Sequence, residues 1–489
     1  MKTNFMQATV RGVFWTYTSY YLGKVMVFIS TVILARLLAK SDFGVVSFAL
    51  LIIGFLDMIN GAGIGSALIY YQGNEKAVHS AFWLDLAIGI VMVLGTWLLA
   101  PLSGNYFDDA RVVPFIRVLS LVFLINSLEH IPNVLLARNL SFNLKFIPDT
   151  LQAIIKGSVS IVCALGGVGA WSLIIGHVSG SLASLITYWI IVPWRPKLEA
   201  SREWIWSIFS YGSGIVATNI LSYILVNVDY LFVGYYMGAA ALGVYTVAFR
   251  IPDLLIIQFC SLVGRVIFPV YARMKDDPEA LNKAFLTTMN YVSLVTVPAA
   301  LGLMLIAKPF VWMVFTDKWV EAIPVMRAIS LYALFLSLVY NVTHIYKARG
   351  AISAMTSISV VRAVILIPAL WWASASTRSI EIVGWTHAVV AFIGGLLNLV
   401  VAARLMKISI WRIFVTLQPS FTAGACMAVV VWIVLSISSV FAPWVQVAAG
   451  IITGAATYLL MLAVLQKGIF LEIRRLILSM MPARTETAK

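Results

Sequence analysis

The chain has few charged residues for its length. Only 11% of its 489 residues are Asp, Glu, Lys or Arg, whereas 61% are hydrophobic, and the mean hydropathy is +0.96. A water-soluble protein of this size could not bury so much apolar surface, so lipid must be the solvent for most of the chain. The composition therefore predicts an all-α integral membrane protein and excludes a soluble globular one.

Cysteine is also scarce, with three residues that lie far apart within apolar segments: Cys163, Cys260 and Cys426. There is no C-x-x-C motif and no His/Cys cluster, so neither a disulfide framework, a structural metal nor any other cofactor is predicted. The N-terminus lacks a small-residue cleavage site after a short apolar core, so no removable signal peptide is expected.

A long polar segment is missing as well. The longest connections between apolar segments have about a dozen residues and lie at 271–284 and 308–321. A membrane glycosyltransferase, polymerase or ligase typically needs a larger extramembrane region that holds acid/base residues. That class of enzyme is a weaker alternative here, and the chain is predicted not to be an enzyme.

What the sequence does contain is fourteen apolar segments long enough to cross a bilayer, which takes roughly 20 residues. They lie near 12–39, 44–70, 78–101, 111–136, 148–166, 170–192, 205–237, 242–269, 285–307, 322–345, 353–372, 380–403, 414–439 and 444–466.

Two segments of the chain resemble each other at an offset of 199 residues. LARLLAKSDFGVVSFA at 34–49 matches VGYYMGAAALGVYTVA at 233–248, which aligns Gly44 with Gly243 and Ala49 with Ala248. Each copy is expected to be a tight turn between two membrane helices. The repeat predicts a chain built twice, with two lobes of the same orientation related by a pseudo-two-fold axis along the membrane normal, as in many transporters.

The repeat and the segment count together predict four regions. We expect an N-terminal six-helix lobe at 1–193, a cytoplasmic linker at 194–204, a C-terminal six-helix lobe at 205–404, and two additional helices with a cytoplasmic tail at 405–489.

The net charge of +14 follows the predicted topology. With the N-terminus inside, the cytoplasmic segments hold 21 Lys and Arg residues and the outer segments hold 5. This asymmetry predicts that both termini are cytoplasmic. Because the positive charge is mostly topological, nucleic acid is not expected as a partner.

Ionisable residues within membrane helices cost free energy, and each is therefore a functional candidate. Four basic residues are candidates for binding an anionic substrate in a cavity: Lys24, Lys156, Arg250 and Arg362. Four acidic residues are candidates for ion pairs or for coupling a cation: Asp57, Asp85, Asp229 and Asp253.

Structural ion pairs are the alternative role for these charges. Lys24 and Asp57 lie at similar predicted depth, and Asp229, Arg250 and Asp253 could form a local network. By contrast, Lys156 and Arg362 have no acidic residue at similar depth on a neighbouring helix, so they are the stronger candidates for phosphate, which favours Lys and Arg donors. No histidine is chosen as a proton relay, because buried histidines mostly satisfy local hydrogen bonds.

Two motifs resemble those of a known family. Arg265 to Ala272 reads RVIFPVYA, and Lys318-Trp319 is followed by Pro324. These segments resemble the polysaccharide-transporter branch of the multidrug/oligosaccharidyl-lipid/polysaccharide flippase superfamily, in particular its colanic-acid-type exporters.

The resemblance implies a flippase in the bacterial inner membrane that takes part in surface polysaccharide biosynthesis. Its substrate would be an undecaprenyl-pyrophosphate-linked oligosaccharide, carried from the cytoplasmic to the periplasmic face by alternating access. Its partners would be membrane lipid, a polysaccharide polymerase and glycosyltransferases. A cation-coupled drug antiporter of the same fold is the alternative, and it would favour an acidic cavity with few basic residues.

Overall fold

A computed structural model describes residues 22–60, 64–70, 74–139, 141–466 and 468. Within these ranges every regular element is a helix, and no strand occurs. The α-helices are α1 (22–37), α2 (Lys40–Asn60), α3 (Ile64–Tyr70), α4 (Glu75–Phe107), α5 (Val112–Leu119), α6 (Leu121–Arg138), α7 (Phe142–Leu165), α8 (Trp171–Ile191), α9 (Arg202–Pro252), α10 (Gln258–Arg273), α11 (Pro278–Val314), α12 (Ala322–Ala348), α13 (Ile352–Trp372), α14 (Ile380–Met406), α15 (Ile410–Ile437) and α16 (Pro443–Leu465).

Twelve helical stretches of the described residues are long and apolar enough to cross a membrane. One of them, Tyr223–Arg273, has 51 residues. It contains the end of the predicted span 205–237 and all of the predicted span 242–269. The first predicted span includes α1, and its residues 12–21 lie outside the described residues. The prediction of an all-α membrane protein with about fourteen spans is confirmed. Helices suit a membrane because they satisfy their own backbone hydrogen bonds in lipid.

In the second copy of the repeated segment a single residue separates two helical parts of α9. This residue is Gly238, whose φ of 80° and ψ of −176° are not helical. Glycine adopts this conformation without the steric cost that a Cβ would bring. In the first copy a short break separates α1 from α2, and Asp42 Oδ2 accepts a hydrogen bond from the Ala39 amide across it (3.1 Å).

The contacts of the chain divide it into two compact units. One comprises Met1–Arg250 and Ile367–Val383, and the other comprises Ile251–Leu366 and Gly384–Lys489. The region limits expected from the sequence, at 193, 205 and 404, stay a prediction.

In the first unit the two repeated glycines contact each other's segment. A Cβ on Gly44 would overlap the Ala239 carbonyl oxygen and lie 2.6 Å from the carbonyl carbon. A Cβ on Gly243 would meet the Lys40 carbonyl oxygen and lie 3.0 Å from the Gly44 nitrogen. Lys40 and Ala239 are themselves 199 residues apart. The contact is therefore reciprocal, as in an interface across a two-fold axis.

α7 and α8 form a closely packed hairpin. A Cβ on Gly180 of α8 would lie 2.8 Å from the Gln152 carbonyl oxygen and 2.9 Å from the Lys156 Cβ of α7. A Cβ on Gly176 would lie 2.6 Å from the Lys156 carbonyl oxygen. Small residues let membrane helices approach this closely. The packing of α7 against α8 therefore fixes the position of the Lys156 Cβ.

The segment between α8 and α9 is attached to the N-terminal end of α4. The Lys197 amide donates to His79 Nδ1 (3.1 Å), and the Lys197 carbonyl accepts from Trp83 Nε1 (2.8 Å). The Ser201 amide donates to Ser80 Oγ (2.9 Å). These bonds satisfy backbone groups that the non-helical segment would otherwise leave without partners.

The second unit is built around α11, which packs against α12, α15 and α16. Polar contacts within this apolar interior join α11 to α15 and to α16. Ser293 and Ser420 hydroxyls lie 3.0 Å apart, and Tyr458 OH donates to the Leu294 carbonyl (3.0 Å).

Candidate functional site

A small pocket in the first unit is lined by three basic side chains from three helices. Lys156 lies on α7, His177 on α8 and Arg250 near the end of α9. The pocket has a volume of about 70 Å³, and α1 and α2 complete its wall. Five hydroxyl-bearing residues also line it: Ser30, Thr31, Ser47, Ser160 and Thr246. We call this cavity the basic pocket.

A hydrogen bond of 2.8 Å joins Lys156 Nζ to His177 Nδ1. Lys has only donors, so the imidazole nitrogen must be the acceptor and cannot itself carry a proton. Lys156 therefore keeps two further N–H donors for another partner. Arg250, the other charged group of the wall, is exposed.

Three of the hydroxyl groups are already used as donors. Thr31 Oγ1 and Ser30 Oγ donate to the Val27 carbonyl (2.7 and 3.0 Å), and Thr246 Oγ1 donates to the Leu242 carbonyl (2.8 Å). Such bonds to the preceding helical turn are common for Ser and Thr. The charged donors that an anion in the pocket could use are those of Lys156 and Arg250.

Two of the four basic residues predicted from the sequence, Lys156 and Arg250, line this pocket. The charge of Lys24 also acts on Lys156, although Lys24 does not line the pocket. Like charges repel one another, and an anion between them would relieve the repulsion. Arg362 lies instead on α13 in the second unit, where its buried Nε has no hydrogen-bond partner among the described residues.

Two of the acidic residues predicted from the sequence, Asp57 and Asp85, lie near His130. Asp85 Oδ2 lies 2.6 Å from His130 Nδ1, with 1% of the Asp85 side chain and 25% of the His130 side chain exposed. Asp57 accepts a hydrogen bond from Asn126 Nδ2 (3.2 Å). The predicted pairing of Lys24 with Asp57 stays a prediction.

Two further carboxyl groups belong to this cluster, and neither was selected from the sequence. Glu129 precedes His130 on α6, and its buried Oε2 has no hydrogen-bond partner in the described part of the chain. Asp149 on α7 accepts from Tyr188 OH (3.3 Å). The signal that could have found Glu129 is its position inside the predicted span 111–136.

The predicted network of Asp229, Arg250 and Asp253 has other partners in the structure. Asp229 is fully buried and accepts from Tyr245 OH (2.7 Å). Both oxygens of Asp253 accept from Gln258 Nε2 at 3.1 Å, within and beside the π-helical segment Asp253–Ile257. Neutral donors thus reach both carboxylates, whereas Arg250 lines the basic pocket.

No group of three or more His, Cys, Asp or Glu residues in the described ranges is arranged to hold a metal ion. The cluster around His130 therefore offers hydrogen bonds and ionisable groups, and not a converging set of ligands.

Comparison with known proteins identifies the family of this chain. A family model described as "Polysaccharide biosynthesis protein" matches residues 33–324. The chain belongs to this family. The match covers more than half of the chain, and it confirms the resemblance that the two sequence motifs indicated.

Curated relatives of this family member agree with the assignment. The chain is 25% identical to "Lipopolysaccharide biosynthesis protein WzxC" of Escherichia coli strain K12, over 74% of this chain and 75% of the relative. It is also 25% identical to "Succinoglycan biosynthesis transport protein ExoT" of Rhizobium meliloti strain 1021, over 78% and 77%.

Solved structures show the same fold at low sequence identity. The likeness to "Lipid II flippase MurJ, inward closed conformation" has a TM-score of 0.76 at 14% identity, and covers 93% of this chain and 99% of that one. An inward-facing MATE-family multidrug transporter gives 0.66 at 14% identity, over 80% and 94%. This family member is therefore a multi-pass membrane protein with the fold shared by these two transporter types.

Proposed function

We propose that this protein is a flippase for a polyprenyl-diphosphate-linked oligosaccharide, which it moves from the cytoplasmic to the outer face of the bacterial inner membrane. The observation that carries the proposal is the basic pocket, in which Lys156 and Arg250 present donors within membrane helices. Membership of the polysaccharide biosynthesis family and the names of WzxC and ExoT support the same substrate class.

The pocket suits a phosphate group in size and in chemistry. A volume of about 70 Å³ corresponds to roughly two water molecules, which is room for one phosphate of a diphosphate. A diphosphate that leaves water loses many hydrogen bonds, and charged N–H donors are the groups that best replace them. Lys156 can donate while it stays bonded to His177, so the pocket needs no rearrangement of this pair to bind an anion.

The lipid part of the substrate needs no polar environment. Each unit has an apolar crevice, of about 610 Å³ in the first unit and about 360 Å³ in the second. A polyprenyl chain is as apolar as bilayer lipid, so it can stay at such a surface or in the membrane while the headgroup passes through the protein.

A cation-coupled drug antiporter is the second candidate, and the acidic cluster around His130 is the observation that favours it. A cationic drug, however, would be repelled by the Lys24, Lys156 and Arg250 charges that meet near the basic pocket. An anionic substrate explains the basic pocket and leaves the acidic residues around His130 for another role.

We place both termini on the cytoplasmic side, on the strength of the Lys and Arg asymmetry. A polysaccharide polymerase and glycosyltransferases are the expected partners, since they would consume and supply the lipid-linked unit. The protein would act by transport and not by catalysis.

Flipping by the purified protein in liposomes tests the proposal. A fluorescent polyprenyl-diphosphate oligosaccharide is placed in both leaflets, and a membrane-impermeant quencher reports how fast the inner pool becomes accessible. We expect Lys156→Gln and Arg250→Gln to slow flipping by about tenfold or more, since each removes one charge-assisted hydrogen bond worth about 1.5–3 kcal/mol.

Lys308→Gln is the matched control, because Lys308 lies over the Trp312 ring, outside the basic pocket. It should flip the substrate at the native rate. The proposal is wrong if native protein and empty liposomes flip equally fast, or if the pocket variants and the control are indistinguishable. Expulsion of a cationic dye with no effect on the diphosphate lipid would instead support the antiporter.

A further inference from the structure

The Asp85–His130 pair does not line the basic pocket, and the proposed function leaves it without a role. The carboxylate is sealed inside the protein, whereas a quarter of the imidazole side chain is exposed. Ser127, also fully buried, lies beside Asp85. The pair therefore has a closed acidic end and an accessible basic end.

The imidazole has one nitrogen committed and one available. Nδ1 is held by the Asp85 carboxylate at 2.6 Å, which fixes the ring and its tautomer. Nε2 points towards α3, where a Cβ on Gly65 would lie 3.1 Å from it. A proton from water can add to Nε2 without disturbing the bond to Asp85.

Other ionisable groups lie around this pair on four helices, and nearly all of them are acidic. Together with the pair they make a cluster with four carboxyl groups and one imidazole, and we call it the acidic cluster. Asp57 on α2 and Glu129 on α6 act on the pair directly. Asp149 on α7, with Lys145 beside it, and Tyr188 on α8 lie beyond them and act on Glu129 or on each other.

We propose that the Asp85–His130 pair binds a proton, and that a bound proton strengthens the binding of an anionic diphosphate in the basic pocket. Protonation of Nε2 changes the charge of the pair from −1 to 0, and the proton comes from and returns to bulk water. The second part of the proposal rests on the function proposed for the basic pocket.

The α7–α8 hairpin connects the two sites. Asp149 of the acidic cluster and Lys156 of the basic pocket are seven residues apart on α7, or about 10 Å along the helix. Tyr188 and His177 are their counterparts on α8. Because Gly176 and Gly180 bring the two helices into direct backbone contact, the hairpin fixes the positions of the residues that it contributes to each site.

The sign of the effect follows from the charges. A negative charge in the acidic cluster repels a diphosphate, so the anion binds more tightly once the pair has taken up its proton. With the screening of a partly hydrated interior, we expect a change in Kd of about three- to tenfold, near the lower end of the usual range for coupling between two sites. By reciprocity, diphosphate binding takes up protons from solution.

Two substitutions separate this proposal from a purely structural role, because they should act in opposite directions. Asp85→Asn removes the negative charge and imitates the protonated pair, so binding should be tight at all pH values. His130→Gln keeps the charge and cannot take up a proton, so binding should be weak at all pH values. Loss of packing would weaken binding in both.

The probe is a polyprenyl diphosphate ester of N-acetylglucosamine, whose charge does not change over the range of interest. Its Kd is measured on the full chain in lipid nanodiscs at about pH 5.5 and about pH 8, which spans the titration of imidazole. Asp276→Asn, in the exposed turn between α10 and α11, is the matched control and should retain the native pH dependence.

A second measurement does not need the substrate. The infrared difference spectrum between the two pH values should contain an imidazole band that His130→Gln removes and Asp276→Asn keeps. If that band is identical in all three proteins, the proton site is refuted. If the band behaves as expected but the native Kd does not change with pH, the linkage is wrong. If native protein does not bind the probe at either pH, the proposed function fails, and the infrared result alone decides the proton site.

Discussion

Replacing Gly44 with alanine tests the reciprocal contact between the two repeated segments. The new Cβ would lie 2.6 Å from the Ala239 carbonyl carbon, whereas non-bonded carbon atoms prefer about 3.5–4.0 Å. The obstacle is backbone, which cannot rotate away as a side chain does, so α2 and α9 must separate by about 1 Å. Overpacking of this kind costs about 1–3 kcal/mol.

The substitution also has a favourable effect, because alanine stabilises a helix by about 1 kcal/mol relative to glycine. Gly302→Ala isolates that effect, since Gly302 lies within α11 and a Cβ there would have no neighbour within 4 Å. The difference in unfolding free energy between the two variants therefore measures the clash. We expect Gly44→Ala to be the less stable by about 1–3 kcal/mol in thermal or denaturant unfolding in detergent.

The double variant sharpens the test. One separation of α2 from α9 makes room for a Cβ at both Gly44 and Gly243, so the two substitutions together should cost less than the sum of their separate costs. Equal stability of Gly44→Ala and Gly302→Ala would refute the reasoning. Strictly additive costs would show that the two glycines do not share one contact.

Three further outcomes are expected from single substitutions. The Arg111 guanidinium lowers the pKa of Asp109, so Arg111→Gln should lower stability near neutral pH by less than about 1 kcal/mol, given that the Arg111 side chain is 45% exposed. This deficit should vanish in thermal unfolding as the pH falls through the lowered pKa, because the carboxyl is then protonated with or without the arginine. Tyr245→Phe removes the donor to the buried Asp229 carboxylate and should cost about 1–3 kcal/mol in unfolding free energy, with unchanged stability as the contrary result. His79→Phe removes the acceptor for the amide of the segment between α8 and α9, so limited proteolysis there should be several-fold faster than in native protein, and an unchanged rate would contradict the assigned hydrogen bond.

The fold was largely predictable from the sequence because lipid leaves the backbone few choices. An apolar segment in a bilayer must satisfy its own hydrogen bonds, so length and hydropathy identify the helices. The repeat was also readable, since Gly44 and Gly243 are needed where two backbones meet. The form of the second copy was not, because a single residue, Gly238, makes the bend for which a turn was expected.

The candidate site was predictable by residue type but not by partner. Depth along a helix places Lys156 in the membrane, yet its bond to His177 depends on how α7 and α8 rotate against each other, which Gly176 and Gly180 determine. The pairing of Asp85 with His130 likewise depends on the packing of α4 against α6. The number of residues from a helix end gives the depth of a side chain in the membrane but not the rotation of the helix about its axis. Pairs that depend on this rotation were therefore missed.

Pseudo-symmetry and function make different demands on the two halves of this chain. The reciprocal glycine contact needs the same small residue in both copies, which accounts for the match at 199 residues. Charged side chains need no such match: the positions 199 residues after Lys24 and Asp57 are Tyr223 and Ile256. A transporter that moves one chemical species in one direction gains nothing from two identical binding sites. The α7–α8 hairpin, which carries residues of both the basic pocket and the acidic cluster, is therefore where substitutions should change substrate and pH dependence without changing the fold.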